Sequence, residues 1–199
     1  MIGPLAFAAS VVLANPAGSP PPSCPANPCA VVSRTTAIQS SDGGSASPFI
    51  VAKLGRISSW SVTLGTPDKQ QIHYFDTHEG GTAQASIGVL RTVGTGNYQL
   101  VAESGPVRLQ PWFGRTATVN LRKPLRVKPG DTLALVVRTW VPALALDLPS
   151  TTIWQASRAS SQCNDIAVQT VQDVVGSRAA YACSYPTAEV TFAATERTR

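Results

Sequence analysis

The stretch PLRVKPGDTLALVVRTWVPALA, residues 124–145, decides the fold class of this chain. At its centre stands PGD (residues 129–131), where proline presets φ and glycine supplies a backbone conformation that other residues resist. In the following TLALVV (residues 132–137), every second side chain is a large aliphatic one, which is the period of a pleated strand. The stretch therefore predicts a strand, a tight turn and a second strand, arranged as a hairpin.

The same pattern recurs along most of the chain. In residues 56–65, Trp60, Val62 and Leu64 alternate with serine and threonine, and a GTGN turn (residues 94–97) follows another alternating run. Serine, threonine, valine, glycine and proline are abundant, as expected for strands joined by turns. These features predict an all-β fold: a single antiparallel β-sandwich of eight to ten strands, jelly-roll or Greek-key like.

The N-terminal residues predict export and define the domain boundaries. Residues 1–14 are signal-peptide-like, since LAFAASVVL (residues 5–13) is followed by a small-residue cleavage site at Ala14, although no basic residue precedes it. This run is too short to span a membrane, and no membrane span is predicted. Residues 15–29 are predicted to be a Pro-rich linker with a Cys24–Cys29 loop, and residues 30–199 the β-sandwich domain.

Four cysteines agree with export, because an even number of cysteines in an exported chain indicates disulfides. Cys24 and Cys29 lie in CPANPC, and Cys163 and Cys183 flank a polar segment near the C-terminus. We favour sequential pairing among the three pairings that four cysteines allow. A zinc site is disfavoured, because neither pair has the two-residue spacing or a nearby histidine.

Residues 48–194 resemble a group of secreted β-sandwich proteins of high-GC soil bacteria. The likeness lies in residues 124–145, in IWQASR, in Cys163 and in YACSYPTAEVTFAA, with GRISSWSV, GGTAQASIGVLR and GNYQLVAES fitting the same pattern. The resemblance implies export, an all-β fold and a Cys163–Cys183 bridge. The group has no assigned activity, so the resemblance transfers no catalytic or binding residue.

One candidate metal site lies in HYFDTHE, residues 73–79, which we read as a polar loop. It contains both histidines of the protein and two carboxylates, and these are ordinary zinc ligands. The candidate ligands are His73, Asp76, His78 and Glu79. Their spacing matches no standard motif, so a solvated polar loop is the alternative.

A candidate ligand-binding surface lies in residues 108–128, where six basic residues occur without an acidic one. Arginine pairs with carboxylate or sulfate in a fork geometry, and an exposed aromatic face stacks on a sugar ring. The candidate residues are Trp112, Phe113, Arg115, Arg122, Lys123 and Arg126. In the alternative interpretation, Trp112 caps the core and the charges are scattered over outward strand faces.

The sequence contains no nucleophile elbow, phosphate-binding glycine loop, calcium loop or nucleic-acid motif. We therefore expect no enzyme activity, no cofactor and no nucleic-acid partner. With a net charge of +5, the expected function is that of a secreted non-catalytic binding module, extracellular or associated with the cell wall, for a polysaccharide or an anionic cell-wall polymer. The alternative is an extracellular structural or protein-interaction domain without a small ligand.

Overall fold

The protein is an antiparallel β-sandwich, which confirms the predicted fold class. A computed structural model describes residues 9–15, 20–165 and 168–198. One sheet has four strands, and a larger curved sheet packs against it. The chain crosses between the sheets several times, as it does in Greek-key and jelly-roll sandwiches.

The described residues form fifteen strands rather than eight to ten, because several strands are only two to four residues long. In chain order the strands are β1 (Ser10–Ala14), β2 (Val32–Asp42), β3 (Ser45–Ala46), β4 (Gly55–Thr63), β5 (Gln84–Gly94), β6 (Asn97–Glu103), β7 (Val107–Arg108), β8 (Thr116–Val127), β9 (Thr132–Val141), β10 (Leu144–Ala145), β11 (Ile153–Ala156), β12 (Arg178–Ala180), β13 (Cys183–Pro186), β14 (Glu189–Val190) and β15 (Phe192–Thr198). Helix α1 spans Lys69–His78, and 3-10 turns occur at Gln110–Trp112 and Ser160–Gln162.

The four-stranded sheet has the order β1-β15-β4-β8, and the central part of the larger sheet has the order β6-β5-β9-β2-β11. The main core lies between them, because the inward residues of each sheet alternate with outward ones. Trp60 and Val62 of β4 are buried as predicted, together with Leu133 of β9. Phe49 and Phe192 stack at a centroid distance of 4.1 Å.

The predicted hairpin in residues 124–145 is wrong, because its two strands belong to different sheets. β8 is an edge strand of the four-stranded sheet, whereas β9 lies between β5 and β2 in the larger sheet. The turn at residues 128–131 is present, and the amide of Asp131 donates to the carbonyl of Lys128 at 3.0 Å. This turn is a corner that carries the chain across the sandwich.

The corner is held by Asp131, whose side chain is almost completely buried. Its carboxylate accepts two hydrogen bonds from Arg91, at 2.9 and 3.1 Å, and one from the backbone amide of Lys128 at 3.0 Å. The neighbouring backbone pairs with Val51, since Gly130 donates to the Val51 carbonyl and the Val51 amide donates to Asp131. Gly130 has φ +83°, a conformation that explains the glycine at this position. These bonds take the place of the pairs that a hairpin would make.

The other face of β9 is also covered, so this strand is buried almost throughout. A second, smaller core contains Ala134 of β9, Leu90, Leu100 and Tyr181. The segment that covers it, of which the structure describes residues 158–165 and 168–182, is joined to β13 by the disulfide between Cys163 and Cys183. The structure also pairs Cys24 with Cys29, so both disulfides follow the sequential pairing.

The described part of the predicted linker packs on the sandwich instead of extending away from it. The amide of Ser23 donates to the carbonyl of Leu144 at 2.8 Å, and the amide of Thr66 donates to the carbonyl of Cys24 at 3.1 Å. Cys24 is buried. The segment with the short disulfide loop therefore packs against one end of the sandwich. Its amino-acid composition alone does not predict this packing.

Part of the signal-peptide-like segment is also ordered, because β1 pairs with β15 from Ser10 opposite Arg197 to Ala14 opposite Ala193. Residues 1–8 of that segment and residues 16–19 of the linker lie outside the described residues. Removal of residues 1–14 on export remains a prediction.

Replacing Asp131 with alanine is expected to lower the free energy of unfolding by about 2–3 kcal/mol, because Arg91 loses its partner and the corner loses a backbone contact. Arg91→Gln should cost less, since Asp131 still accepts from Lys128. Urea denaturation of both single variants and the double variant measures this, and the two losses should be less than additive. An unchanged midpoint for Asp131→Ala would contradict the assigned role of the corner.

Replacing Cys163 and Cys183 with serine is expected to destabilise the protein by about 3 kcal/mol, because the bridge closes a loop of twenty residues. Replacing Cys24 and Cys29 is the matched control. Its loop of five residues predicts a smaller loss of about 2 kcal/mol. Urea denaturation gives the two free energies, and amide exchange of β12 should accelerate only in the first variant. Equal exchange in both variants would argue against the bridge as the anchor of the covering segment.

Candidate binding groove

Three arginines form a row across the end of the four-stranded sheet. Arg56 of β4 lies directly opposite Arg126 of β8 on one side and opposite Arg197 of β15 on the other. All three are exposed. Directly opposed residues of antiparallel strands have Cβ atoms roughly 5 Å apart, so the row brings three guanidinium groups onto one small area.

The row places three like charges side by side without a described acidic partner. Arg34, Arg91 and Arg138 each form an ion pair with a buried or half-buried carboxylate. Among the described residues, no ion pair involves the three arginines of the row. Like charges directly opposite each other on a sheet are destabilising. The row is therefore a site where an anionic ligand would relieve repulsion.

The arginine row borders a groove of about 530 Å³. Its other walls include the exposed Leu54 and Pro124, so the groove combines aliphatic surface with the three positive charges. Among the described residues, its lining includes no acidic or aromatic side chain. The volume lies in the range of small-molecule binding sites.

Gly55 lies at the base of the groove and has a packing reason to be glycine. A Cβ atom there would lie 2.5 Å from Oε1 of Glu196 and 2.8 Å from the carbonyl oxygen of Arg197. Any side chain would therefore push β4 away from β15. The glycine therefore leaves room for the Glu196 side chain next to the strand pair that carries Arg56 and Arg197.

Glu196 lies on the inner side of β15, behind the groove. It is 2% exposed, and its Oε1 has no hydrogen-bond partner among the described groups. Burial raises the pKa of Glu196, while the charge of Lys53 acts in the opposite direction. Because β15 alternates, this carboxylate and the Arg197 guanidinium belong to opposite faces of the sheet.

The structure does not bring the six predicted ligand-binding residues together. Arg126 belongs to the groove, but Arg122 and Lys123 lie in a bulge of β8, where residues 121–124 face the single residue Ser58 of β4. Trp112, Phe113 and Arg115 lie beyond the opposite end of β8, as the register of β4 and β8 shows. That register separates the two ends by seven residues of β4, or about 23 Å.

The aromatic pair also differs from the predicted sugar-stacking platform. Arg115 covers the ring of Trp112, with its guanidinium carbon 4.7 Å from the ring centroid, so one face of this tryptophan is already occupied. Trp112 is 37% exposed. Phe113 packs against the buried Trp140 at a centroid distance of 5.5 Å. The geometry therefore moves the candidate site from the aromatics to the arginine row.

The four predicted metal ligands are not arranged as a metal site. The polar loop is wrong, since His73, Asp76 and His78 lie on helix α1, which begins with a capping box of Asp68 and Gln71. This capping box can be recognised in the sequence, where it indicates the start of a helix. Among the described residues no cluster of three or more potential ligands is found.

The carboxylates of the predicted metal site bind protein groups instead. Asp76 accepts hydrogen bonds from Trp140 Nε1 at 3.0 Å and from the amide of Gln110 at 2.9 and 3.1 Å. Glu79 is buried and accepts from Ser33 Oγ at 2.8 Å and from Arg34 Nε at 3.1 Å. These bonds fix α1 on the sandwich.

The sequence pattern did not single out Arg56 and Arg197, which lie 141 positions apart and far from the basic stretch of residues 108–128. Arg56 and Arg197 each follow or precede a position that the alternation of the strand places inside. The alternation therefore predicts that each arginine faces outward, but it does not predict which residues lie beside it on the neighbouring strands. Only the pairing register of β15, β4 and β8 brings them into one row.

In the part of the chain that the structure describes, no helix is long and apolar enough to cross a membrane. No protein-family model matches the chain, and no curated protein and no solved structure is significantly similar to it. The resemblance of residues 48–194 to secreted β-sandwich proteins thus remains a prediction.

Replacing Glu196 with glutamine is expected to remove a pH-dependent destabilisation. The pKa of Glu196 is raised in the fold, so folding costs free energy as pH rises above the unfolded pKa of about 4.5 and this carboxylate ionises. Glu196→Gln should therefore melt at a higher temperature than the wild type at pH 7, with the advantage disappearing near pH 4. Thermal melts at both pH values test this, and a pH-independent difference would contradict it.

Proposed function

We propose that this protein is an exported, non-catalytic module that binds acidic components of the cell envelope through the arginine row. The observation that carries the proposal is the alignment of Arg56, Arg126 and Arg197 on three adjacent strands without a described carboxylate partner. Guanidinium groups bind carboxylates, sulfates and phosphates in a fork geometry, so an acidic ligand fits the row.

Export is supported by the disulfides and the N-terminal pattern. The bridges Cys24–Cys29 and Cys163–Cys183 are stable in oxidising compartments such as the cell exterior. The apolar residues 5–13 match the central region of a secretory signal. An exported protein with a basic groove would meet acidic wall polymers and anionic lipids.

A binding role rather than catalysis is supported by the surroundings of the two histidines. His78 Nδ1 lies 2.8 Å from the carbonyl oxygen of Tyr74, within its own helix. Among the described residues, no serine or cysteine is hydrogen-bonded to His73 or His78. The groove, in turn, contains arginines and no described acid or base that would titrate near neutral pH.

The proposal predicts that the full chain is retained on purified cell walls and on polygalacturonate at low salt, and is not retained on cellulose. The double variant Arg56→Gln/Arg126→Gln should bind the acidic materials about tenfold more weakly, because two of the three charges are lost. Arg178→Gln, an exposed arginine of the other sheet, is the matched control and should bind normally. Sedimentation binding at two salt concentrations measures all three proteins.

Equal weakening by Arg178→Gln would mean that net charge, rather than the row, causes retention. Absence of retention on every acidic material would overturn the proposed function. Retention should decrease at high salt, because the row is exposed and salt screens exposed charges.

A second candidate function is protein interaction through the edge of the four-stranded sheet. It rests on β1, an edge strand whose Val11 and Val12 are 44% and 64% exposed, and it therefore requires that residues 1–14 are retained and not removed on export. Exposed apolar edge strands favour pairing with another chain. Sedimentation velocity over a hundredfold concentration range tests self-association, and a monomer throughout would count against pairing between copies.

A further inference from the structure

We infer that the arginine groove takes an acidic amphiphile, a molecule with one anionic head group and an aliphatic chain. This inference rests on the proposed function and specifies the chemical class of its ligand. The head group would bind the guanidiniums of Arg56, Arg126 and Arg197. The chain would lie against the aliphatic wall of the same groove.

The wall is the first observation that separates an amphiphile from a polysaccharide. Leu54 is 66% exposed at the groove, and the exposed Pro124 continues the aliphatic surface beside the arginines. An exposed leucine is ordinary by itself, but here it adjoins other apolar side chains and three cations. The methylene stems of arginine add further apolar surface beneath their charged ends.

The second observation is that the described residues of the groove lining include no aromatic side chain. Sugar rings present flat apolar faces, which aromatic rings match in shape, and the groove offers no such ring. The exposed Trp112 lies about 23 Å away along the sheet, and Arg115 covers one of its faces. A flexible aliphatic chain fits the irregular wall formed by leucine and proline.

The charge arrangement explains why the head group must be anionic. Three guanidiniums on adjacent strands repel one another, and no described carboxylate compensates them. A phosphate or a carboxylate placed over Arg56 accepts hydrogen bonds from it and from a neighbour in the row. A neutral amphiphile would leave this repulsion unchanged, so head-group charge and chain contribute separately to affinity.

The test uses the full disulfide-bonded chain and three probes below their micelle concentrations: dodecyl phosphate, glycerol 3-phosphate and dodecyl maltoside. Titration calorimetry should show dodecyl phosphate binding at least about tenfold more tightly than either other probe. Leu54→Ser should remove most of the advantage of the chain while glycerol 3-phosphate binding stays unchanged. Val174→Ser, an equally exposed apolar residue elsewhere, is the control and should bind like the wild type.

Each alternative result has a defined meaning. Equal binding of dodecyl phosphate and glycerol 3-phosphate, both lost in Arg56→Gln/Arg126→Gln, would overturn the amphiphile and leave the acidic-ligand proposal intact. If dodecyl maltoside bound as tightly as dodecyl phosphate, the binding would be non-specific apolar binding, and the amphiphile inference would be overturned. If the protein bound phosphatidylglycerol vesicles but not monomeric dodecyl phosphate, it would dock on a membrane surface without taking a lipid into the groove. This result would also overturn the amphiphile inference. If no acidic probe, polymer or wall preparation binds, both proposals fail.

Discussion

The burial of Asp131 at the corner between β8 and β9 is the constraint on which the sandwich depends. An ionised carboxylate is stable inside a protein only when charges and hydrogen bonds compensate it. Here Arg91 and the amide of Lys128 supply them. The same corner fixes where β9 begins, and β9 pairs with both β5 and β2. The hydrogen-bonded Asp131 carboxylate therefore fixes the position of β9, the strand around which the larger sheet is built.

The outer faces of the two sheets differ in how far other parts of the chain cover them. The larger sheet is covered by residues 158–165 and 168–182, which contribute Tyr181 to a small core over β9 and are held by the Cys163–Cys183 bridge. The four-stranded sheet has no such cover among the described residues, and its outward positions include Ser59, Ser61 and Thr118. A ligand-binding surface on a strand face is thus available mainly on this sheet, where the arginine row lies.

The arginine row is unusual because it places three like charges directly opposite one another on adjacent strands. Arg138 alone contacts Glu103, Asp173 and Ser86, and Arg34 contacts Glu79. Folding gains nothing from three opposed cations on adjacent strands, because their mutual repulsion lowers stability. Residues that reduce stability without making a compensating interaction are commonly found at functional sites. This contrast is the physical basis for the proposed binding function and for the anionic class of its ligand.

The sequence by itself determined the all-β class, the inward faces of strands such as β4, and the sequential disulfides, because these follow from local alternation, turn residues and cysteine spacing. Tertiary structure decided the rest. The PGD turn became a corner rather than a hairpin because Asp131 found Arg91 and Val51, which lie far away in the chain. Helix α1 begins at a local signal, the capping box of Asp68 and Gln71, and tertiary structure decided only that its Asp76 accepts a hydrogen bond from Trp140 of β9. The groove unites residues 56, 126 and 197 through strand register, a property of pairing between distant segments that no local pattern contains.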